Sequence, residues 1–488
     1  MPSKEQEAKV VDDVAKGLYI DGRWSEASSG KSFGIEDPST GQVLCEVADA
    51  DGGDAIRALD AAVTAQAEWA AQAPRARGEI LRRAWETITE RVDDLALLMT
   101  LEMGKSLAES KAEIAYGADF FRWFAEEATR IEGNYQVAAN GQGRTLVMRQ
   151  PVGPCVFVTP WNFPMAMGTR KIGPALAAGC TMVMKPAGAT PLSMNALAQI
   201  LEEAGLPAGV LNVITTSSSS ETVGPLLQDP RTRKLSFTGS TEVGRRLMEQ
   251  ASQNLLRVSM ELGGNAPFIV FDDADLDAAV QGAMLAKMRN IGESCVAANR
   301  FYIAEPIADE FAGRLVEEMA ALKVGRGTDP DVSVGPLINE EQRDKVIELV
   351  DDATQRGAKC ILGGRSLDGA GYFYEPSVLT GVTPDARVLK EEIFGPVAPI
   401  ATFSAEDEAI EAANDTEYGL VAYVFTRDIT RALRVVERLD TGMVGLNKGM
   451  VSNPAAPFGG VKHSGFGREG GREGILEYLA TKNVAVDL

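Results

Sequence analysis

The sequence predicts an α/β protein with two parallel-sheet domains, and three observations carry that expectation. Residues 150–262 alternate short apolar runs with helical stretches, the pattern of a βαβ series. A second series follows, with helical patterns near 274–287, 306–322 and 340–356 and apolar strands near 420–425 and 442–446. At 488 residues the chain also exceeds what one hydrophobic core usually organises, so at least two packed domains are expected.

In the first series the predicted strands are 155–159, 181–185, 210–215, 234–238 and 258–262. Between the second and third, Thr190-Pro191 reads as a helix N-cap followed by proline in the first turn, and Gly205 as the stop. The stretch 133–145 contains Ala-Asn-Gly-Gln-Gly between extended flanks, a hairpin-like turn signal. Residues 482–488 form an apolar strand candidate, and both segments are suited to pairing with another subunit. The only biased tract is the Thr/Ser run 215–220, and there is no internal repeat.

Formal charge is −21, with 69 acidic against 48 basic residues, so the long-range field opposes nucleic acid and anionic membranes. No apolar run reaches the roughly 18 residues of a membrane span. Residues 1–18 are charged, unlike a secretory signal, and a cytoplasmic location is expected. Cys45, Cys155, Cys180, Cys295 and Cys360 are odd in number, widely spaced and without a CxxC pair, which argues for reduced thiols over a disulfide framework or zinc. A lone histidine, His463, leaves no imidazole pair for a metal, so no metal site is expected.

Cys295 lies among small and polar residues in Asn290-Ile291-Gly292-Glu293-Ser294-Cys295-Val296. A cysteine alone is more often packing than nucleophile. Here it has company. A thiolate adding to a carbonyl produces an oxyanion that needs preorganised donors, and Asn162, in Thr159-Pro160-Trp161-Asn162-Phe163-Pro164, is a candidate amide. Glu261 ends an apolar strand just before Gly263-Gly264, where open α/β sheets place their sites, and can activate water. The stretch from Ser236 to Gly244 reads as strand, glycine turn and helix start, suited to a pyrophosphate although its spacing is not GxGxxG. Lys185, at another strand end, is placed to meet a ribose or phosphate.

These motifs, together with Ile20-Asp21-Gly22-Arg23-Trp24, Met184-Lys185-Pro186-Ala187, Glu391-Glu392-Ile393-Phe394-Gly395-Pro396 and Pro457-Phe458-Gly459-Gly460, occur in an order that resembles the aldehyde dehydrogenase superfamily over nearly the whole chain. Within it the sequence resembles the group acting on succinate semialdehyde. The resemblance implies a cofactor-binding domain (1–131 and 152–261), a catalytic domain (262–464) and an oligomerisation element (132–151 and 465–488) in a homodimer or homotetramer. It implies Cys295 as nucleophile, Asn162 as oxyanion donor and Glu261 as general base, acting on a small semialdehyde through a thiohemiacetal and a thioester. Trp161, Lys185, Ser240, Glu392 and Phe394 match cofactor-contacting positions, with Thr159, Thr238, Gly239 and Leu262 on the same strand ends.

Many NAD-using relatives carry glutamate three residues after the lysine, where this chain has Gly188. Losing that carboxylate removes repulsion against a 2′-phosphate, and Lys185 with hydroxyls such as Ser217 and Ser218 would donate to it. NADP is therefore the expected cofactor, with NAD used less well. For the substrate the resemblance implies a carboxylate clamp of Arg170, Arg289 and Ser452. Glu293 stands where relatives usually have glutamine and is expected to face away from the thiol, since a carboxylate turned inward would raise its pKa. The rival expectations are oxidation of glutarate semialdehyde or of many aldehydes, a cofactor-free thiol hydrolase or acyltransferase using Cys295 with His463, and a non-catalytic protein on the same fold.

Overall fold

The computed structural model describes residues 2–487, and among them the strands form four sheets. The first has the order 465–466, 257–261, 234–238, 155–158, 182–185, 211–213, 18–20, 23–25. Its five central strands, from Arg257–Glu261 to Leu211–Val213, are parallel, and the flanking pairs are antiparallel. Four of these central strands are buried along their whole length, as a sheet covered by helices on both faces requires. From Cys155–Val158 the chain winds outward through 182–185 and 211–213, then returns to add 234–238 on the opposite side. A topological switch point therefore lies between Cys155–Val158 and Lys234–Thr238, and such sheets bind ligands at the carboxyl ends of the strands there.

The second sheet runs 359–362, 377–380, 397–403, 298–304, 266–270, 421–425, 443–446, parallel except at its first pair. Its core centres on Phe268, whose ring stacks at 4.9 Å on Phe425 and lies 5.1 Å from Phe301. The strands Ala266–Val270 and Ala298–Ala304 are missing from the periodicity reading because Pro267 argues against a central strand and Asn299-Arg300 breaks the apolar run.

The third sheet is antiparallel. Asn134–Val137 and Arg144–Pro151 form the hairpin expected from the Ala-Asn-Gly-Gln-Gly turn, and Leu479–Val486 pairs along the full length of 144–151. Gly465–Phe466, by contrast, pairs with Met260 and Glu261 in the first sheet, so the segment 465–488 is not a single interfacial unit. A separate hairpin joins Ser32–Asp37 to Gln42–Ala48. No helix among the described residues is long and apolar enough to cross a membrane.

The expected cap at Thr190 is corrected. Helix Leu192–Glu203 receives no side-chain cap from Thr190, whose hydroxyl donates to the Trp161 carbonyl. Buried Glu102 instead accepts from the amides of Leu192 and Ser193 at 2.7 and 2.8 Å. A carboxylate at the positive end of the helix dipole does the capping from 90 residues upstream, beyond reach of a local signal.

Candidate active site

A cavity of about 600 Å³ opens at the switch point, bounded by the loop after Val158, the ends of Met182–Lys185 and Lys234–Thr238, and Leu262-Gly263 after Arg257–Glu261. Cys295 reaches it from the second sheet's side, and Glu392 and Phe394 close it from the same side. Thus Thr159, Trp161, Asn162, Lys185, Gly188, Thr238, Gly239, Ser240, Leu262, Cys295, Glu392 and Phe394 all line one cavity.

The backbone around Cys295 is held in an unusual shape. Asn290 and Ile291 sit at φ 54° and 62°, followed by Gly292 at 78°, a left-handed run that bulky side chains adopt only at a cost of order 1 kcal/mol or more each. Gly292 is required: a Cβ there would lie 2.3 Å from the Gly395 carbonyl. Gly264 is required likewise, because a Cβ would meet the Cys295 carbonyl at 2.3 Å. Hydrogen bonds fix the run. Asn290 Nδ2 donates to the carbonyls of Asn162 and Glu293, at 3.0 and 2.8 Å, and the Tyr423 hydroxyl donates to Val296 O at 2.8 Å.

Asn162 is buried, and its Nδ2 donates to the Glu293 carbonyl at 3.0 Å, which leaves its second amide hydrogen free. Its own carbonyl receives Lys105 Nζ at 2.7 Å, and that ammonium is paired with buried Glu113 at 2.6 Å. Glu113 in turn accepts from the amides of Met165 and Ala166 at 3.0 and 3.1 Å, pinning the start of helix Ala166–Ala178. Lys105, Glu113 and Asn290 were not singled out in the sequence. They act on backbone groups far along the chain, and no motif announces that.

Glu261 is buried, and neither carboxylate oxygen has a hydrogen-bond partner. Burial first, and the nearby charge of Glu469 second, push its pKa well above the ordinary range. The Cys295 thiol is pushed up to about 12, chiefly by burial; Arg170 and Arg289 pull it down, while Glu392 and Glu261 oppose them. Burial thus opposes ionisation of the thiol and of the carboxyl alike, while Arg170 favours the charged form of both.

The far end of the cavity suits a dinucleotide. The Ser240 hydroxyl caps helix Thr241–Ser252, whose first turn borders the cavity at Ser240 and Val243, and a helix start suits an anion. Lys185, buried and without an ion pair among the described residues, has its pKa lowered to about 8 by desolvation, so an added phosphate would restore its charge. The Thr238 hydroxyl is buried without a partner. Glu392 accepts from the Gly264 amide at 3.1 Å, and burial lifts its pKa to about 7. Trp161 and Phe394 meet edge to face at 5.4 Å. Gln342, Lys345 and Arg246 also line the cavity, though no sequence signal singled them out.

Two expectations need correction. Ser217 and Ser218 do not line the cavity; Ser219 and Ser220, in the first turn of helix Ser219–Gln228, do. Ser217 is committed to Asp49, which accepts from its amide at 2.8 Å and its hydroxyl at 2.6 Å. Arg170 is not a free cation either. It lies 2.8 Å from Glu469, off hydrogen-bond alignment, and stacks 4.0 Å from the centre of the Phe458 ring, while Lys171 holds the other Glu469 oxygen at 2.6 Å. The partner acid is 299 residues away in sequence, which is why Arg170 looked available.

Arg289 is different. It has no acid partner among the described residues, its guanidinium sits 4.9 Å from the centre of the Phe163 ring and 5.4 Å from that of Tyr116, and Ser452 Oγ lies 3.5 Å from Nη1. The Glu293 carboxyl turns from the thiol to accept from the Ile338 amide at 3.1 Å. His463 is half-exposed and engaged with Glu417 and Arg245, away from Cys295, so no Cys-His pair forms.

The aldehyde dehydrogenase family model matches residues 24–484. A succinate-semialdehyde dehydrogenase of Paenarthrobacter nicotinovorans is 58% identical over 91% of this chain and 99% of its own length. A glutarate-semialdehyde dehydrogenase of Pseudomonas aeruginosa is 49% identical over 95% and 96% of the two chains. The crystal structure of an E. coli NADP-dependent enzyme superposes with a TM-score of 0.97 at 48% identity, covering 98% of this chain and 99% of that one.

Proposed function

The chain belongs to the aldehyde dehydrogenase family, and from that premise we propose that it oxidises succinate semialdehyde to succinate with NADP as acceptor, NAD serving less well. The observation that carries this reading is the convergence of Cys295, Asn162 and Arg289: a thiol, an amide with a free hydrogen, and an unpaired cation whose charge reaches the thiol.

In this reading Cys295 gives up its proton to solvent in the cavity, and its sulfur adds to the aldehyde carbon. The free amide hydrogen of Asn162 and the backbone amide at Cys295 stabilise the oxyanion. Arg289 and Ser452 hold the substrate carboxylate at the other end. A bound NADP supplies the hydride acceptor that turns the thiohemiacetal into a thioester. Lys185 and the start of helix Thr241–Ser252 would hold its phosphates, and Glu392 and Phe394 would meet its nicotinamide half. Glu261 then takes a proton from water as that water attacks the thioester, and succinate leaves.

The absence of a carboxylate at Gly188 supports NADP, since the cavity wall there offers Lys185 and two serine hydroxyls and no opposing acid. The three-stranded sheet, with Tyr135 and Val137 exposed at 63% and 56%, is the surface through which the subunits associate into a homodimer or homotetramer. We assign residues 1–131 and 152–261 to cofactor binding, 262–464 to catalysis, and the cytoplasm as its location.

The test is a matrix of kcat/KM for ω-carboxy aldehydes of increasing length and for neutral aldehydes, each with NADP and NAD. The highest value is expected for succinate semialdehyde with NADP. A maximum for glutarate semialdehyde would favour the activity named for the Pseudomonas relative, because one methylene is worth only about 1–3 kcal/mol in a pocket.

A further inference from the structure

The proposed function leaves one buried acid beside the nucleophile without a task. Glu293 is fully buried two residues before Cys295, and only one of its carboxyl oxygens has a partner, the Ile338 amide at 3.1 Å. Its backbone carbonyl receives both Asn162 Nδ2 at 3.0 Å and Asn290 Nδ2 at 2.8 Å, and its amide donates to Asn290 O at 2.8 Å. The peptide at 293 is thus the point to which the oxyanion amide is tied. It directly follows the left-handed run Asn290-Ile291-Gly292, a conformation that persists only if its end is clamped.

We propose that Glu293 is a positioning residue: its side chain braces the nucleophile loop against Ile338 and thereby aims the Asn162 amide at the oxyanion. The inference rests on the reading of Cys295 and Asn162 given above. The surroundings of the carboxyl oppose a charge on it. The charged groups nearby are Lys105 and, beyond it, Glu113. Lys105 already serves Glu113 at 2.6 Å and the Asn162 carbonyl at 2.7 Å. An anion at 293 would compete for that ammonium and pull it from Asn162, with only one amide to stabilise the charge. Burial accordingly holds the Glu293 pKa well above the ordinary carboxylate range.

The test uses Glu293→Gln and Glu293→Ala in the full-length enzyme with two readouts. One is kcat for aldehyde oxidation, which needs the oxyanion donor. The other is the rate of Cys295 alkylation by iodoacetamide, a displacement at saturated carbon that forms no oxyanion. Glutamine keeps the acceptor oxygen and carries no charge, so its kcat is expected within about 3-fold of the parent, whereas alanine should lower kcat by about 10- to 100-fold with KM and alkylation little changed, a partial loss of one oxyanion donor. The proposal is overturned if alanine leaves kcat intact, if it slows alkylation as much as turnover, or if glutamine is as damaging as alanine. An unmodified enzyme that oxidises no aldehyde would instead remove the proposed function itself.

Discussion

Replacing Arg289 by alanine separates recognition of the substrate's carboxylate from the chemistry at Cys295. The guanidinium is unpaired among the described residues, is half-buried against Tyr116 and Phe163, and has only Ser452 and Met450 as polar or sulfur neighbours, at 3.5 and 3.4 Å. Removing one partner of a hydrogen-bonded charge pair costs about 2–5 kcal/mol when the pair is buried. Because Arg289 is only half-buried, water compensates in part, and the lower range of about 2–3.5 kcal/mol applies. At about 1.4 kcal/mol per tenfold, kcat/KM for succinate semialdehyde should fall roughly 30- to 300-fold. Butanal, with the same chain length and no carboxylate, makes no such contact and should lose less than about 5-fold. Initial rates of NADP reduction with both aldehydes give the comparison directly. Equal losses for the two would refute the assignment of Arg289 to the carboxylate and return it to a packing role.

Gly188→Glu should shift preference from NADP toward NAD, with at least a roughly tenfold loss of kcat/KM for NADP. The added Cβ would lie 3.2 Å from the Thr216 carbonyl, close enough to need a small adjustment, and the new carboxylate would repel a 2′-phosphate. The Lys185 pKa of about 8 places a bend in the pH dependence of KM for NADP. Below it the ammonium is charged and binds phosphate, and above it the charge is lost, so KM should rise at higher pH; a flat profile through pH 9 would oppose that role. Glu469→Gln strips the counter-charge from Arg170 and Lys171, both fully buried, and should destabilise by about 3–5 kcal/mol, read as a shifted urea midpoint. Burial raises the Glu469 pKa, but Lys171 and Arg170 outweigh it and hold the group below its unfolded value. Its stabilising contribution is therefore full above the ordinary glutamate pKa and is lost as pH falls through the lower folded value.

The parallel strands from 155 to 261 were legible because each is a short apolar run bounded by glycine, proline or a cap. The strands Ala266–Val270 and Ala298–Ala304 were not, since Pro267 sits inside the first and Asn299-Arg300 inside the second, residues that a central strand rarely carries. The cavity lining was legible where a motif sits at a strand end, as at Asn162, Lys185 and Ser240. What stayed hidden was long-range pairing. Glu469 taking Arg170, Asp49 taking Ser217 and Glu102 capping the helix at Leu192 each join residues at least 90 positions apart, and a sequence pattern records residue type without recording which distant partner claims it. Arg289 was read as available and is, whereas Arg170 was read identically and is not.

The covalent role of Cys295 is tested most directly by a rapid-quench experiment on Glu261→Gln with NADP and succinate semialdehyde. Removing the base for water leaves formation of the thioester ahead of its hydrolysis. The expected result is a burst of NADPH equal to the number of active sites, followed by near arrest, with the succinyl mass found on the peptide containing Cys295. A variant that turns over with no burst and no adduct, or an acyl group carried on another residue, would contradict it.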